Sequence, residues 1–237
     1  QVTLTWSAVD GADSYNLYWS TTAAVTKETG TKITGVTSPY AHTGLANGST
    51  YYYVVTAVGG GGEGKASNVA TVTLAPAAPA APTVAAGLGE TTVTWATTAG
   101  ATSYNLYWST SAGVTPATGT KIEAAVSPYV HTGLTPGLAY YYVVTGVNAG
   151  GEGAASAEGT VTLAPASPAI VSAVSGDHQV TVDFLNVVGA TSYNLYWSNT
   201  AGVTKATGTK IENVTAPYAH TGLTNGTTYY YVATAVG

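Results

Sequence analysis

The sequence predicts an all-β protein of tandem antiparallel β-sandwiches, and three observations support this prediction. First, the 237-residue chain repeats itself without gaps at an interval of 89 residues, so that residues 1–59 and 179–237 match at 43 of 59 positions. Second, short segments alternate apolar and polar residues with period two, which is typical of half-buried strands. Third, turn residues separate these segments at intervals of about 8–12 residues, as in β-sandwiches.

The length of the repeat predicts one whole domain per copy, because solenoid repeats are shorter, about 20–50 residues. We therefore predict three domains, at residues 1–78, 79–167 and 168–237. Proline-rich linkers at 75–82 and 164–168 join them. Alternating prolines stiffen a linker toward polyproline II geometry, so the domains are expected to lie end to end as a semi-rigid rod.

Each repeat reads as a series of short strands. No 11-residue window has the apolar spacing of an amphipathic helix, whereas β-branched and aromatic residues dominate the alternating segments. In the first copy the predicted strands are 2–6, 15–19, 32–33, 40–43, 51–58 and 69–74.

Several of these residues resemble fibronectin type III domains. Trp6 is similar to the core tryptophan of that family, and Tyr15-x-Leu17 is similar to its strand C. Residues 45–55, Leu-x-Asn-Gly-x-x-Tyr-x-Tyr-x-Val, closely resemble the family's signature around the tyrosine corner. The resemblance covers essentially the whole chain and implies three immunoglobulin-like sandwiches in a bacterial-type extracellular array. The third copy departs from the pattern at Phe184, where a smaller core contact is expected.

The resemblance also sets the phase of the array. It places strand A at 82–86 in the second domain and at 169–172 in the third. The first domain is then expected to lack strand A, and the last to lack strand G, within this chain. Two interpretations remain open: a longer protein supplies these strands, or neighbouring subunits exchange them and assemble into a filament.

Composition excludes several classes of function. Charged residues make up 7% of the chain, against about 25% in ordinary soluble domains, and the net charge is −5 without a single arginine. Neutralising phosphates requires clustered cations, so neither nucleic acid nor an anionic membrane surface is an expected partner. No apolar run is long enough for membrane insertion. Cysteine and methionine are absent, which favours an extracellular or cell-surface location.

One histidine recurs in each copy, as His42, His131 and His220. No serine or acidic residue recurs at a spacing that would complete a catalytic triad. We therefore expect each histidine to be a buried, neutral imidazole that is hydrogen-bonded to the backbone or to a tyrosine.

The carboxylates do not indicate a site either. Asp10 and Asp13 could suggest calcium, but the other copies lack them, and calcium needs six to eight oxygen ligands. Glu63 and Glu152 lie between strands F and G and are expected to be solvated loop residues. No catalytic residue, metal or cofactor is predicted, and we do not expect an enzyme.

Aromatic residues are the better candidates for a binding surface. All 18 tyrosines occupy six recurring positions, against a single phenylalanine. Strand alternation directs Tyr15, Tyr51 and Tyr53 toward the core. The remaining tyrosines of strands C and F, with the tryptophan that ends strand C, are expected to form an exposed aromatic interaction face. This predicted face comprises Tyr18, Trp19, Tyr52, Tyr107, Trp108, Tyr141, Tyr196, Trp197 and Tyr230. The alternative is that these rings only stabilise the sheet as cross-strand pairs.

The expected function is structural or adhesive: a segment of an extracellular stalk, a surface filament or an adhesin on a bacterial surface. Its expected partners are other copies of itself or neighbouring repeats, through strand exchange, or a surface polysaccharide. The alternative is an accessory spacer, or a weak carbohydrate-binding region, of a secreted polysaccharide-degrading enzyme.

Overall fold

The computed structural model describes residues 1–237 and contains 21 strands and no helix, so the all-β prediction is confirmed. Neighbouring strands pair antiparallel, and they form three groups that we call units 1, 2 and 3. We name strands A, B, C, C′, E, F and G by their order within a unit.

Unit 2 has all seven strand positions, in two sheets. Strands A, B and E form one sheet, and strands C′, C, F and G form the other, in which G consists of two short strands. In chain order its strands are β8 (Thr83–Ala86), β9 (Glu90–Thr94), β10 (Ser103–Ser109), β11 (Thr120–Ile122), β12 (Tyr129–Thr132), β13 (Ala139–Asn148), β14 (Gly151–Ala155) and β15 (Gly159–Thr162).

Unit 1 has the same arrangement without strand A, so that strands B and E form a two-stranded sheet. Its second sheet is complete, because both parts of strand G pair with strand F. Its strands are β1 (Val2–Leu4), β2 (Ser14–Ser20), β3 (Thr31–Val36), β4 (Tyr40–His42), β5 (Thr50–Gly59), β6 (Gly62–Ala66) and β7 (Ala70–Thr73).

Unit 3 has strand A but no strand G, so its strand F pairs with strand C alone. Its strands are β16 (Ile170–Gly176), β17 (Gln179–Phe184), β18 (Ser192–Ser198), β19 (Thr209–Val214), β20 (Tyr218–Thr221) and β21 (Tyr230–Val236).

The core of each unit lies between its two sheets and is built by strand alternation. In unit 2, Leu106, Tyr142 and Val144 are completely buried between the sheets. The predicted inward tyrosines of unit 1 pack in the corresponding cluster, where Tyr51 and Tyr53 are buried and Tyr15 is half-buried. Alternation therefore predicted the inward set correctly.

Two features of the family resemblance appear as contacts. The hydroxyl oxygen of Tyr51 accepts a hydrogen bond from the backbone N–H of Ala46 at 2.8 Å, which forms the tyrosine corner that the sequence motif predicts. Phe184, which stands in place of the tryptophan, is buried and packs on Tyr193 with ring centroids 5.0 Å apart. Unit 3 therefore keeps the fold with the smaller ring.

Candidate interaction face

The predicted aromatic face is largely covered. Tyr18 and Tyr107 point away from the core between the sheets, as expected, but only 3% and 4% of their surfaces are exposed. Their expected exposure was therefore wrong. Each ring lies in a second, small apolar cluster on the outer side of its sheet, with Val25 and Val54 around Tyr18.

The loop between strands C and C′ covers these rings. It carries Val25 over the outer side of the sheet, and Gly30 lets it approach closely. A Cβ atom added at Gly30 would lie 2.8 Å from Cγ2 of Val25 and 3.0 Å from Cβ of Tyr18, so any larger residue would push the loop outward. The outer face is consequently a second layer of packing rather than an open platform.

The tryptophans were also assigned to the wrong side. Trp19 lies two residues after Leu17, so both side chains lie on the same face of strand C, and Trp19 packs against the core between the sheets. Its ring meets His42 edge-on, with centroids 5.0 Å apart, and lies 5.8 Å from the ring of Tyr51. Trp108 and Trp197 make the same contacts with the histidine of their own units.

The recurring histidine makes the predicted hydrogen bond to a tyrosine, but only His42 is buried, whereas His131 and His220 are half-buried. Nδ1 of His42 is hydrogen-bonded to the hydroxyl of the buried Tyr53 at 3.1 Å, and His131 and His220 repeat this contact at 3.0 Å. Burial lowers the pKa of all three imidazoles, which favours the neutral form in the fold.

Glu63 was expected to be solvated, and this was wrong. Its Oε1 accepts hydrogen bonds from the hydroxyls of Tyr18 at 2.6 Å and Thr56 at 2.5 Å, while Lys32 Nζ donates to Oε2 at 3.0 Å. We call this arrangement the carboxylate clasp. It ties the first part of strand G, which carries Glu63, to strands C, C′ and F. Sequence spacing could not reveal it, because its members come from separate strands.

The clasp recurs in unit 2 around Glu152. Tyr107 donates to its carboxylate at 2.7 Å, and Thr145 makes a second, short hydrogen bond. Lys121 differs from its counterpart in unit 1, since it pairs with Glu123 instead, at 2.9 Å. The signal in the sequence is that Glu, Tyr and Thr all recur at the 89-residue interval.

The clasp stabilises the ionised form of both carboxyl groups. Hydrogen bonds from Thr56 and then Tyr18 hold the pKa of Glu63 far below its ordinary value. For Glu152, burial alone would raise the pKa, but the hydrogen bonds from Thr145 and Tyr107 outweigh it, and the pKa is lowered. The stabilisation is therefore present above the ordinary pKa of 4.5 and is lost as the pH falls below it.

Only part of the predicted face remains accessible. Tyr52, Tyr141 and Tyr196 are half-buried, and Tyr230, at 37% exposed, has the most accessible ring of the set. Tyr196 is less buried than its counterparts because no strand G carries a carboxylate over it. Of the nine predicted residues, only Tyr230 is therefore exposed.

The units meet through glycine-containing turns. The turn between strands E and F of unit 1 lies against the turn between strands B and C of unit 2, so that a Cβ added at Gly48 would be 2.6 Å from the carbonyl oxygen of Ala99. Gly137 lies in the same way against Val188 and Gly189 of unit 3.

A side-chain amide adds to the first of these junctions. Nδ2 of Asn148, at the end of strand F in unit 2, donates to the carbonyl oxygens of Leu74 and Gly100 at 3.0 Å each. Leu74 directly follows strand G of unit 1, so this amide joins the two units directly.

No three His, Asp or Glu side chains converge as a metal site would require. No helix is present that could span a bilayer.

Solved structures of several proteins are similar to this chain. The FN1-FN3 domains of chicken CNTN1 match at 19% identity over 98% of this chain and 87% of that one, with a TM-score of 0.30. An Fn3-like protein from Clostridium thermocellum matches at 35% identity over 37% of this chain and 93% of that one, with a TM-score of 0.34. A two-domain fibronectin type III segment from chicken tenascin matches at 19% identity over 68% and 90%, with a TM-score of 0.40. No protein-family profile matches the chain.

The strand order defines the class of protein. A sheet of strands A, B and E facing a sheet of strands C′, C, F and G, with a tyrosine corner before strand F, is the fibronectin type III arrangement. The chain is a tandem array of fibronectin type III-like β-sandwiches, as the sequence motifs predict.

Proposed function

We propose that this chain is a non-catalytic, rod-like segment of an extracellular stalk, surface filament or adhesin, with domains at 1–78, 79–167 and 168–237. The observation that carries the proposal is the recurrence of one junction between successive units. Gly48 and Gly137 occupy the same repeat position, and each backbone is in close contact with the next unit.

Such junctions restrict bending because backbone meets backbone. Contacts between flexible side chains could adapt to a range of angles between the units. Two turns in close backbone contact allow little change in that angle before the contact is lost. The linker adds to this, since Pro76 lies so close to Gly146 of unit 2 that an added Cβ would be 3.1 Å from the proline ring. A rod that holds its shape suits spacing or display at a cell surface.

The chemistry of the chain supports a non-catalytic role. Its recurring histidines are used in packing, and its recurring carboxylates are used in the clasp. The alternative, a carbohydrate-binding region, gains less support, because Tyr18 and Tyr107 are buried and a stacking platform needs open rings.

Small-angle X-ray scattering of the purified chain tests the proposal. We expect an elongated particle whose maximum dimension is close to that of three units end to end and does not change between low and high salt. A distribution of compact and bent forms would contradict the rod. Immunolabelling of intact source cells tests the location, and labelling only after permeabilisation would contradict a surface role.

A further inference from the structure

A carboxylate holds the loop between strands C and C′ in unit 2. Glu158, which lies between the two parts of strand G, accepts hydrogen bonds at Oε2 from the backbone N–H groups of Gly113 at 2.8 Å and Val114 at 3.0 Å. Gly113 has a left-handed backbone, with φ of 79°. Successive N–H groups in such a turn form a concavity that binds anions. We call this pair of N–H groups the amide nest.

Unit 1 keeps the amide nest without the carboxylate. Ala24 and Val25 occupy the corresponding positions, and Ala24 has the same left-handed backbone, with φ of 63°. Neither N–H group has a hydrogen-bond acceptor within the chain. The residue that corresponds to Glu158 is Val69, whose side chain carries no acceptor. Two donors that bind a carboxylate in unit 2 are therefore unpaired in unit 1.

This difference between the units arises at position 69. In unit 2, where strand A and its linker are both present, neither supplies an acceptor to the amide nest, and Glu158 alone binds it. Strand G also pairs with strand F in the same register in both units. The backbone at Val69 is therefore placed like that of Glu158, and the two units differ here in the side chain.

The amide nest of unit 1 keeps its shape without a carboxylate to hold it. Alanine rarely adopts the left-handed conformation that glycine adopts freely, and units 2 and 3 both have glycine at the position of Ala24. The next residue fixes the loop, because Val25 is only 4% exposed and packs on Tyr18. The N–H of Thr26 donates to Thr29 Oγ1 at 3.0 Å and closes the following turn. An anion can therefore bind without rearrangement of the loop.

Charge and shape around the nest favour a carboxylate on an aliphatic stem. Lys27 follows the nest by two residues and Lys65 precedes Val69 by four, where unit 2 has proline and alanine. Both lysines are exposed and belong to no ion pair. Glu28 offsets one of them, but the region is still more positive than in unit 2, which also carries Glu158. Val69 is 42% exposed and offers an apolar surface for a methylene stem.

We propose that the amide nest of unit 1 binds a carboxylate of a separate molecule, carried on an aliphatic stem as in a glutamate side chain of a partner polypeptide. The N–H groups of Ala24 and Val25 donate to the ionised oxygen, and Val69 contacts the stem. Unit 2 does not bind such a group, because Glu158 occupies its nest. The site is independent of the rod proposed above, since all of its groups belong to unit 1.

Sodium acetate is the first probe, titrated into the intact chain and followed by NMR against sodium chloride at equal ionic strength. We expect the amide protons of Ala24 and Val25 to shift downfield and saturate with acetate. Those of Gly113 and Val114 should not move. Absence of saturation, the same response to chloride, or equal movement of both pairs would overturn the proposal.

Repeat symmetry supplies reciprocal variants. Val69→Glu should fill the nest of unit 1 from within and remove its response to acetate. Glu158→Val should create a saturable response in the nest of unit 2, and unit 1 shows that the fold accepts valine at this position. The proposal fails if Val69→Glu leaves acetate binding intact, or if Glu158→Val confers none.

Three larger probes test the source of the carboxylate. N-acetylglutamate α-amide, which carries only the side-chain carboxylate, should saturate the amides of Ala24 and Val25 at least as readily as acetate. The neutral N-acetylglutamine amide should bind about tenfold more weakly or worse, because it lacks the charge. Glucuronate should bind more weakly than the glutamate derivative, since its hydroxyl-bearing ring would lie against Val69. Tighter binding of glucuronate would indicate an acidic polysaccharide and overturn the assignment to a polypeptide partner.

Discussion

Thr56 and Thr234 are the same residue at the same strand position, but only one of them has a carboxylate to hold. Thr56 is completely buried and donates to Glu63, whereas Thr234 is half-buried with no such acceptor. The contribution of this threonine hydroxyl to stability therefore depends on whether strand G, which carries the carboxylate, is paired beside strand F.

Thr56→Val should destabilise unit 1 by roughly 1–3 kcal/mol, because the ionised carboxylate of Glu63 loses a hydrogen-bond donor. Thr234→Val, which removes a hydroxyl that has no carboxylate partner, should cost much less. Hydrogen exchange of the β5 and β21 amides, measured by NMR, reports each unit separately. An equal loss of protection in both variants would contradict the clasp.

Acid should destabilise the fold through its histidines before the carboxylates titrate. Burial lowers the folded-state pKa of His42, His131 and His220, so the unfolded chain binds protons first as the pH falls. Stability should therefore be full above the ordinary pKa of 6.5 and decline between that value and the lowered pKa. NMR titration of the imidazoles checks the shift directly, and midpoints above 6.5 would contradict it.

At the scale of elements, strand C is buried on both sides, and the two sides have different origins. The inner side is covered by the facing sheet and the outer side by the loop between strands C and C′. This loop can lie close to Tyr107 because residue 119 is glycine, where an added Cβ would be 2.6 Å from Val114 Cγ2 and 3.1 Å from Tyr107 Cβ.

Gly119→Ala should therefore lift the loop and destabilise unit 2 by about 1–3 kcal/mol, as overpacking does. The Tyr107 ring should become more accessible, which shows as faster exchange of its hydroxyl and of nearby loop amides. Gly60→Ala is a suitable control, because nothing lies within 4 Å of that position. If the two variants behave alike, the close approach of the loop has no energetic role.

The sequence predicted the inner side of strand C better than the outer side, and the reason is physical. Period-two alternation assigns side chains to faces, so the inward direction of Leu17 and the outward direction of Tyr18 both follow from it. Whether an outward side is exposed depends on where a loop lies, and the path of the loop depends on contacts such as that of Val25. The clasp was missed for the same reason, since Glu63 meets Tyr18 only after the sheet has formed.

At the scale of the whole molecule, glycines lie at the contacts between successive units. Gly137 and Gly226 occupy the same turn in units 2 and 3, with φ of 82° and 76°. Both therefore carry a similar backbone penalty when replaced by alanine. They differ in surroundings: an added Cβ at Gly137 would overlap the carbonyl group of Val188 in the next unit, whereas nothing lies within 4 Å of Gly226.

Comparison of Gly137→Ala with Gly226→Ala therefore isolates the junction from the local strain. Both variants should lose stability because each places alanine at a positive φ, and Gly137→Ala should lose more, because it also disrupts the contact with Val188. Only Gly137→Ala should also change the scattering profile, by opening the junction between units 2 and 3 and broadening the distribution of interunit angles. If both profiles match the parent chain, the linker rather than the turn contact sets the angle, and the rigidity of the rod must come from its prolines.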